Sequence, residues 1–256
     1  ITVIPDPLDQ IFELNDTNNN GTKGVFVHGP DLIMLNVTHT NVSLDTFVTF
    51  NATVQNIGLS NATGFYVSLL VDGILYDYVF DSSLQVNSSK NVLIGWLATG
   101  GQHNITMHAD QFENVVEHDE TNNNFTIELP FIPGYDLIVE NFTWIPNATN
   151  LTSGLDVVTF LVTVKNVGQV AMPPKDIYAT IFIDDNFFVA ENAKFFTGLN
   201  VSGSTLISAD WFVNLPGNRT NVTAVADIYQ IIFETNEINN HLTKAFPVFV
   251  SGPDLI

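Results

Sequence analysis

Apolar side chains alternating with a period of two, turn residues about every eight to twelve positions, and a closing motif present three times predict an all-β chain of tandem sandwich domains. The alternation is plainest in Thr46–Asn56, where Val48, Phe50, Ala52 and Val54 face one way and Thr49, Asn51, Thr53 and Gln55 the other. Val158, Phe160, Val162 and Val164, against Thr159, Thr163 and Lys165, repeat it further on. Hairpin turns are expected at Val71-Asp72-Gly73 and Ile183-Asp184-Asp185-Asn186, because Gly, Asp and Asn accept positive φ. Gly100-Gly101 and Pro216-Gly217 mark further turns, and Trp96 and Trp211 are expected in the two cores. No stretch has the 3.6-residue period of a helix.

The repeats set the domain organisation. Asp110, Glu117, Asp119, Glu120, Asn122 and Asn123 follow the pattern D-x6-E-x-[DN]-[DE]-x-N-N. Asp227, Glu234, Asn236, Glu237, Asn239 and Asn240 match it, as do Asp6, Glu13, Asn15, Asp16, Asn18 and Asn19. Pro30-Asp31-Leu32-Ile33 returns as Tyr135-Asp136-Leu137-Ile138 and Pro253-Asp254-Leu255-Ile256, and Asn56-Ile57-Gly58 returns as Asn166-Val167-Gly168. These landmarks divide the chain into the end of one repeat (1–28), two full sandwiches (29–133 and 134–251) and the first strand of another (252–256). The opening tail matches the third copy better than the second, which points to a two-domain super-repeat of about 223 residues within a longer polymer-like protein. About seven strands per unit make each an immunoglobulin-like sandwich. The segments Leu129–Gly134 and Phe246–Gly252 are apolar and proline-bearing, so they are expected to be stiff junctions in an elongated rod, with Phe131 and Phe249 docking on neighbours.

Composition excludes several functions. Charged residues are 13% of the chain, with 27 acids against 7 Lys and Arg and a formal charge of −20. Such a surface repels nucleic acid and anionic lipid. No run of about eighteen apolar residues is present, so no membrane insertion is expected in this segment. With no cysteine, disulfides and thiolate chemistry are absent.

Fifteen N-x-[ST] sequons occur, at Asn15, Asn20, Asn36, Asn41, Asn51, Asn61, Asn87, Asn104, Asn124, Asn141, Asn147, Asn150, Asn200, Asn218 and Asn221. Chance would give about four. In Asn51-Ala52-Thr53, Asn104-Ile105-Thr106 and Asn221-Val222-Thr223 the middle residue points inward, leaving Asn and Thr on the outer face. N-linked glycans would supply the solubility that low charge does not. The plainer alternative is that Asn and Thr simply fill polar strand faces.

The repeated acids are candidate calcium ligands: Asp110, Glu117, Asp119, Glu120 and Asn122; Asp227, Glu234, Asn236, Glu237 and Asn239; and Asp6 and Glu13 in the partial copy. Calcium takes about six to eight oxygens from carboxylates, amides and carbonyls. The competing reading is a turn held by side-chain-to-backbone bonds, with no cofactor required. The spacing is not an EF-hand.

The P-D-L start, the N-[IV]-G strand end, the [VI]-D-[GD] hairpin, the late Trp and the D-x6-E close together resemble the CARDB family, cell-adhesion-related domains found in bacteria and common on archaeal surfaces. The resemblance covers nearly the whole chain. It implies an immunoglobulin-like fold, an adhesive or spacer role at the cell surface, and no catalytic residues. The second copy departs by extra residues around Pro146–Ser153 and Met172–Asp176. Enzymatic signals are missing independently: His28, His39, His103, His108, His118 and His241 are scattered, and no nucleophile elbow, phosphate loop or zinc motif occurs. An acid pair repeated in every domain serves structure better than catalysis. The sequence therefore points to an extracellular, archaeal, non-enzymatic protein that self-associates with identical chains and with neighbouring repeats in a surface layer, sheath or filament. An adhesin stalk or carbohydrate-binding spacer is the alternative, but no exposed aromatic platform can be picked out from the sequence.

Overall fold

The computed structural model describes residues 2–4, 21–22, 29–184, 186–187, 194–214 and 216–252. Every element among them is a strand. β1 (Thr2–Val3) and β2 (Gly21–Thr22) form a small antiparallel pair. Next come β3 (Leu32–His39), β4 (Phe47–Asn56), β5 (Ala62–Val71), β6 (Ile74–Leu84), β7 (Ser89–Leu97), β8 (Asn104–Ala109) and β9 (Asn124–Glu128). They make one sheet ordered β3-β4-β7 and another ordered β6-β5-β8-β9, the seven strands expected of the first sandwich.

The second half continues with β10 (Leu137–Ile145), β11 (Asn150–Thr152), β12 (Val157–Asn166), β13 (Asp176–Ile183), β14 (Asn186–Phe187), β15 (Lys194–Thr197), β16 (Ser204–Phe212), β17 (Gly217–Ala226) and β18 (His241–Ser251). Its sheets run β10-β12-β16 and β11-β18-β17-β13-β14, with β15 also on β13. The extra residues around Pro146–Ser153 form β11, which adds parallel to the end of β18 through Asn150↔Phe249, Leu151↔Val250 and Thr152↔Ser251.

Period-two patterning decides which face is inside. Val48, Phe50, Ala52 and Val54 are all fully buried, and Val158, Phe160, Val162 and Val164 are 3% exposed or less. Trp96 and Trp211 are buried as expected. At the β5–β6 hairpin Asp72 and Gly73 both take positive φ, 52° and 80°, which is the backbone a two-residue hairpin demands.

One expectation is corrected. Phe246–Ser251 is no junction: it is the second half of β18, with Phe246, Val248 and Val250 buried in the core of its own sandwich. The alternation of apolar residues there is a strand pattern that proline conceals. Pro247 fits because the pairing of β17 with β18 is irregular between Arg219 and Asn221, opposite that stretch. The Asp6–Asn19 copy of the motif, the sequons Asn15 and Asn20, and Pro253–Ile256 lie outside the described residues.

Candidate functional site

The sequence landmarks of each sandwich converge on a single hydrogen-bonded closure. Its centre is the start of the first strand. In the first sandwich the Glu117 carboxylate accepts from the Leu32 N–H, 85 residues away in sequence, and from the Asn123 amide at 3.0 Å. Asn122 donates its amide to Asp31 at 2.8 Å, and His118 N–H bonds the Pro30 carbonyl at 2.9 Å. From the other side Asn56, fully buried, accepts from Asp31 N–H (3.2 Å) and Gly58 N–H (3.0 Å). Its amide donates to the Ser60 and Leu84 carbonyls at 2.9 and 3.1 Å.

Gly58 explains the third letter of the N-[IV]-G motif. A Cβ there would sit 2.5 Å from Asp31 N and 2.6 Å from Gly29 O, so only glycine admits the first strand this closely. Gly168 is in the same position, with Gly134 O at 2.5 Å and Asp136 N at 2.6 Å.

The acids of the motif are acceptors for backbone N–H groups. Asp110, at φ 52°, turns the chain out of β8, and its carboxylate caps Asn114 N–H at 3.1 Å and Val115 N–H at 2.7 Å. Glu120 accepts from Glu117 N–H at 2.8 Å, and Asp119 from the Thr121 N–H and hydroxyl at 2.9 and 2.6 Å. The second sandwich repeats this almost bond for bond. Asp227 takes Ile231 N–H (3.0 Å) and Ile232 N–H (2.8 Å), Glu234 takes Leu137 N–H and the Asn240 amide (2.7 Å), and Glu237 takes Glu234 N–H (2.8 Å). Asn239 reaches Asp136 at 2.8 Å, and Asn236 accepts from Ile238 N–H at 3.2 Å.

Burial dominates the electrostatics. It pushes the Glu117 carboxyl up to about 7 and Glu234 up to about 8. The Leu32 and Leu137 N–H groups oppose the rise, and the neighbouring carboxylates add to it. Glu237 is raised as well, again chiefly by burial.

The donor set can be compared with what a calcium ion needs. Among the described residues no three His, Asp or Glu side chains come together as a metal set. Each acid named above turns at least one carboxylate oxygen to an N–H donor, and the buried oxygens of the motif segments left without a donor are the amide oxygens of Gln111, Asn122, Asn123, Asn239 and Asn240. In both sandwiches the acids hold backbone N–H groups of their own loop, as the turn reading expects.

The sequons are mostly open. Of the thirteen described, Asn36, Asn41, Asn61, Asn87, Asn104, Asn124, Asn141, Asn147, Asn150, Asn200, Asn218 and Asn221 are exposed and Asn51 is half-buried. Ala52, Ile105 and Val222 between sequon Asn and Thr are fully buried.

Sequence reasoning missed a cluster of aromatic rings on the outer face of the β6-β5-β8-β9 sheet. Tyr66 lies 5.4 Å from Tyr78, 5.2 Å from Phe80 and 5.3 Å from Phe112, and Tyr78 lies 5.6 Å from Phe112. Three of these contacts are edge-on, at 86–89°, so the rings pack into one another and do not lie flat as a platform. The alternation in β6 carries the signal only faintly, because apolar residues occupy both of its faces.

Comparison with known proteins follows the same landmarks. The CARDB family model matches residues 29–127 and again 134–244. A CARDB domain from Pyrococcus furiosus, described as in complex with di-metal ions, is 23% identical over 42% of this chain and 98% of its own, with a TM-score of 0.38. A domain of a protein described as a cell surface protein from Methanosarcina acetivorans is 36% identical over 40% of this chain and 91% of its own, with a TM-score of 0.37. No curated protein sequence matches the chain.

Proposed function

The chain belongs to the CARDB family, and on that premise we propose that it is a structural stretch of an extracellular assembly: a surface layer, sheath or filament coated with N-linked glycans. CARDB domains are non-catalytic, surface and adhesion-related modules, and two of them follow one another here. The observation that carries the reading is the duplicated closure. The one acid-rich motif that recurs along the chain holds backbone N–H groups in both sandwiches, so the repeated chemistry serves folding and not turnover.

Twelve exposed sequon asparagines support the glycan coat, since a transferase needs the side chain in the open. Dense sequons without cysteine favour an archaeal surface. In this reading the partners are identical chains and neighbouring repeats. The Pyrococcus domain is described with di-metal ions; for this chain we infer that the closure holds without calcium, because its carboxylates are engaged by N–H donors.

Electron microscopy of native material, with intact mass measured on the same sample, tests the proposal. An ordered lattice or fibre and a mass well above the bare polypeptide are expected. Dispersed monomers would overturn the assembly, and a bare polypeptide mass would overturn the coat.

A further inference from the structure

A cleft of about 200 Å³ opens on the second sandwich beside the end of β10, lined by Phe142, Thr143, Trp144, Asn147 and Lys244. A pocket for a drug-sized ligand runs to about 300–1,000 Å³, so this cleft has room for one small ring. Three kinds of chemistry meet in it: an indole, an ammonium, and the asparagine of the sequon Asn147-Ala148-Thr149.

The indole is held but not covered. Trp144 is half-buried. It meets Phe246 at 5.2 Å and 88°, Phe142 at 6.1 Å and 42°, and Phe160 at 6.4 Å and 54°, and none of these three contacts is a flat stack. They fix the ring against the core while part of it lines the cleft. An aromatic face is the negative side of a quadrupole and attracts polarised C–H groups, which a pyranose ring presents. Lys244 adds a donor. An ammonium has three N–H groups, and Lys244 gives one to Asn141 Oδ1 at 2.5 Å and one to the Phe142 carbonyl at 2.6 Å. The third is left for a hydroxyl.

This pair is particular to the second sandwich. Counting from the landmarks Asp136 and Asn239, the first sandwich has His39 and Ile127 where Trp144 and Lys244 stand. The closure that both sandwiches share does not use it.

Position decides the occupant. Asn147 is exposed and lines the cleft, so a sugar joined to its amide starts there. A short tether gives an effective concentration on the order of millimolar, and a cleft of about millimolar affinity is then filled about half the time or more.

We propose that the cleft seats the first sugar of a glycan on Asn147, packed on Trp144 and taking the third Lys244 N–H with a hydroxyl. This rests on the glycan coat proposed above and adds to it one glycan ordered at a defined place.

Tryptophan fluorescence tests it. The chain has three Trp, and Trp96 and Trp211 are 2% and 5% exposed, so a quencher dissolved in water reads chiefly Trp144. Acrylamide quenching is measured on the whole glycosylated chain from its own host, on Asn147→Gln and on Asn150→Gln, with glycopeptide mass spectrometry reading the occupancy of every sequon. Losing the Asn147 glycan should raise the quenching constant about twofold and leave the melting temperature near that of the parent, and Asn150→Gln should leave the constant unchanged. A glycosylated Asn147 whose removal does not change the quenching overturns the proposal and leaves the coat standing, as does a bare Asn147 among occupied sequons. A chain bare at every sequon overturns both. A rise in Asn150→Gln in place of Asn147→Gln also sinks the assignment. So does free glucose or free N-acetylglucosamine that protects Trp144 of the Asn147→Gln chain at micromolar concentration, which would give the cleft to an outside saccharide.

Discussion

Replacing Glu234 with Gln tests whether the closure works as a hydrogen-bond device burdened by a charge. Glu234 is 6% exposed, and burial pushes its carboxyl up to about 8, against the pull of the Leu137 N–H. The ordinary value is 4.5. A group bound more tightly to its proton in the folded chain gives stability that is complete below the unfolded pKa and lost as pH rises through the folded one. Here the window runs from about pH 4.5 to about pH 8. A displacement of that size is worth at most about 5 kcal/mol; relaxation and nearby water reduce it to roughly 2–3 kcal/mol, or about 10 °C in Tm for a domain of this length.

Gln keeps the oxygen that accepts from Leu137 N–H. Its amide can donate to the Asn240 oxygen, which is buried without a donor, once the Asn240 amide turns over. Glu234→Gln should therefore match the parent within about 1 kcal/mol at pH 5 and exceed it by roughly 2–3 kcal/mol at pH 9. Urea unfolding at pH 5, 7 and 9, followed by tryptophan fluorescence, measures both. An unchanged pH slope in the variant, or a variant weaker than the parent at pH 9, refutes the reasoning.

Gly168→Ala should destabilise its sandwich by about 3 kcal/mol or prevent folding, because the new Cβ meets backbone at 2.5 Å and nothing flexible can yield; circular dichroism melts check it, with Gly58→Ala as its counterpart. Asn56→Ala removes one buried side chain that accepts two and donates two hydrogen bonds, so a loss of roughly 2–4 kcal/mol in urea unfolding is expected. Chelation with EDTA should leave the melting temperature within about 1 °C, since binding to the native state alone would otherwise appear as stabilisation; a fall of several degrees would reinstate the acidic loops as cation ligands.

The fold was legible in the sequence wherever one face of a strand is buried, because burial forces the period of two. Val48 to Val54 and Val158 to Val164 are such cases. Phe246–Ser251 was misread because Pro247 and the neighbouring Gly252 carry the chemistry of a linker, while the buried Phe246, Val248 and Val250 carry that of a strand. At the candidate site the motif residues were found but their partners were not. Spacing along the chain shows that Asp110 and Glu117 lie in one loop. It cannot show that Glu117 turns away from that loop to a backbone N–H at Leu32. The aromatic cluster was hidden for a related reason: Tyr66 and Phe112 lie on different segments, and only the pairing of β5 with β6 and the turn after β8 bring them together.

What both sandwiches share must serve what both do, and the closure is shared to within a tenth of an ångström at four contacts. Asp110 and Asp227 cap their loops at 2.7 and 2.8 Å, and Glu120 and Glu237 each accept at 2.8 Å. Asn122 and Asn239 each reach the first-strand Asp at 2.8 Å, and Asn56 and Asn166 each accept from the glycine N–H at 3.0 Å. A ligand site would also repeat faithfully if each domain bound the same ligand, so repetition alone does not decide. Each carboxylate oxygen in these contacts faces an N–H or amide group; those of Val115 and Ile232 are buried, and leaving such buried groups unmet costs about 1–3 kcal/mol each. Acceptor oxygens at these positions therefore serve the fold before any ligand arrives. Position-specific roles in such an array fall to surfaces that the folding of each unit does not itself require.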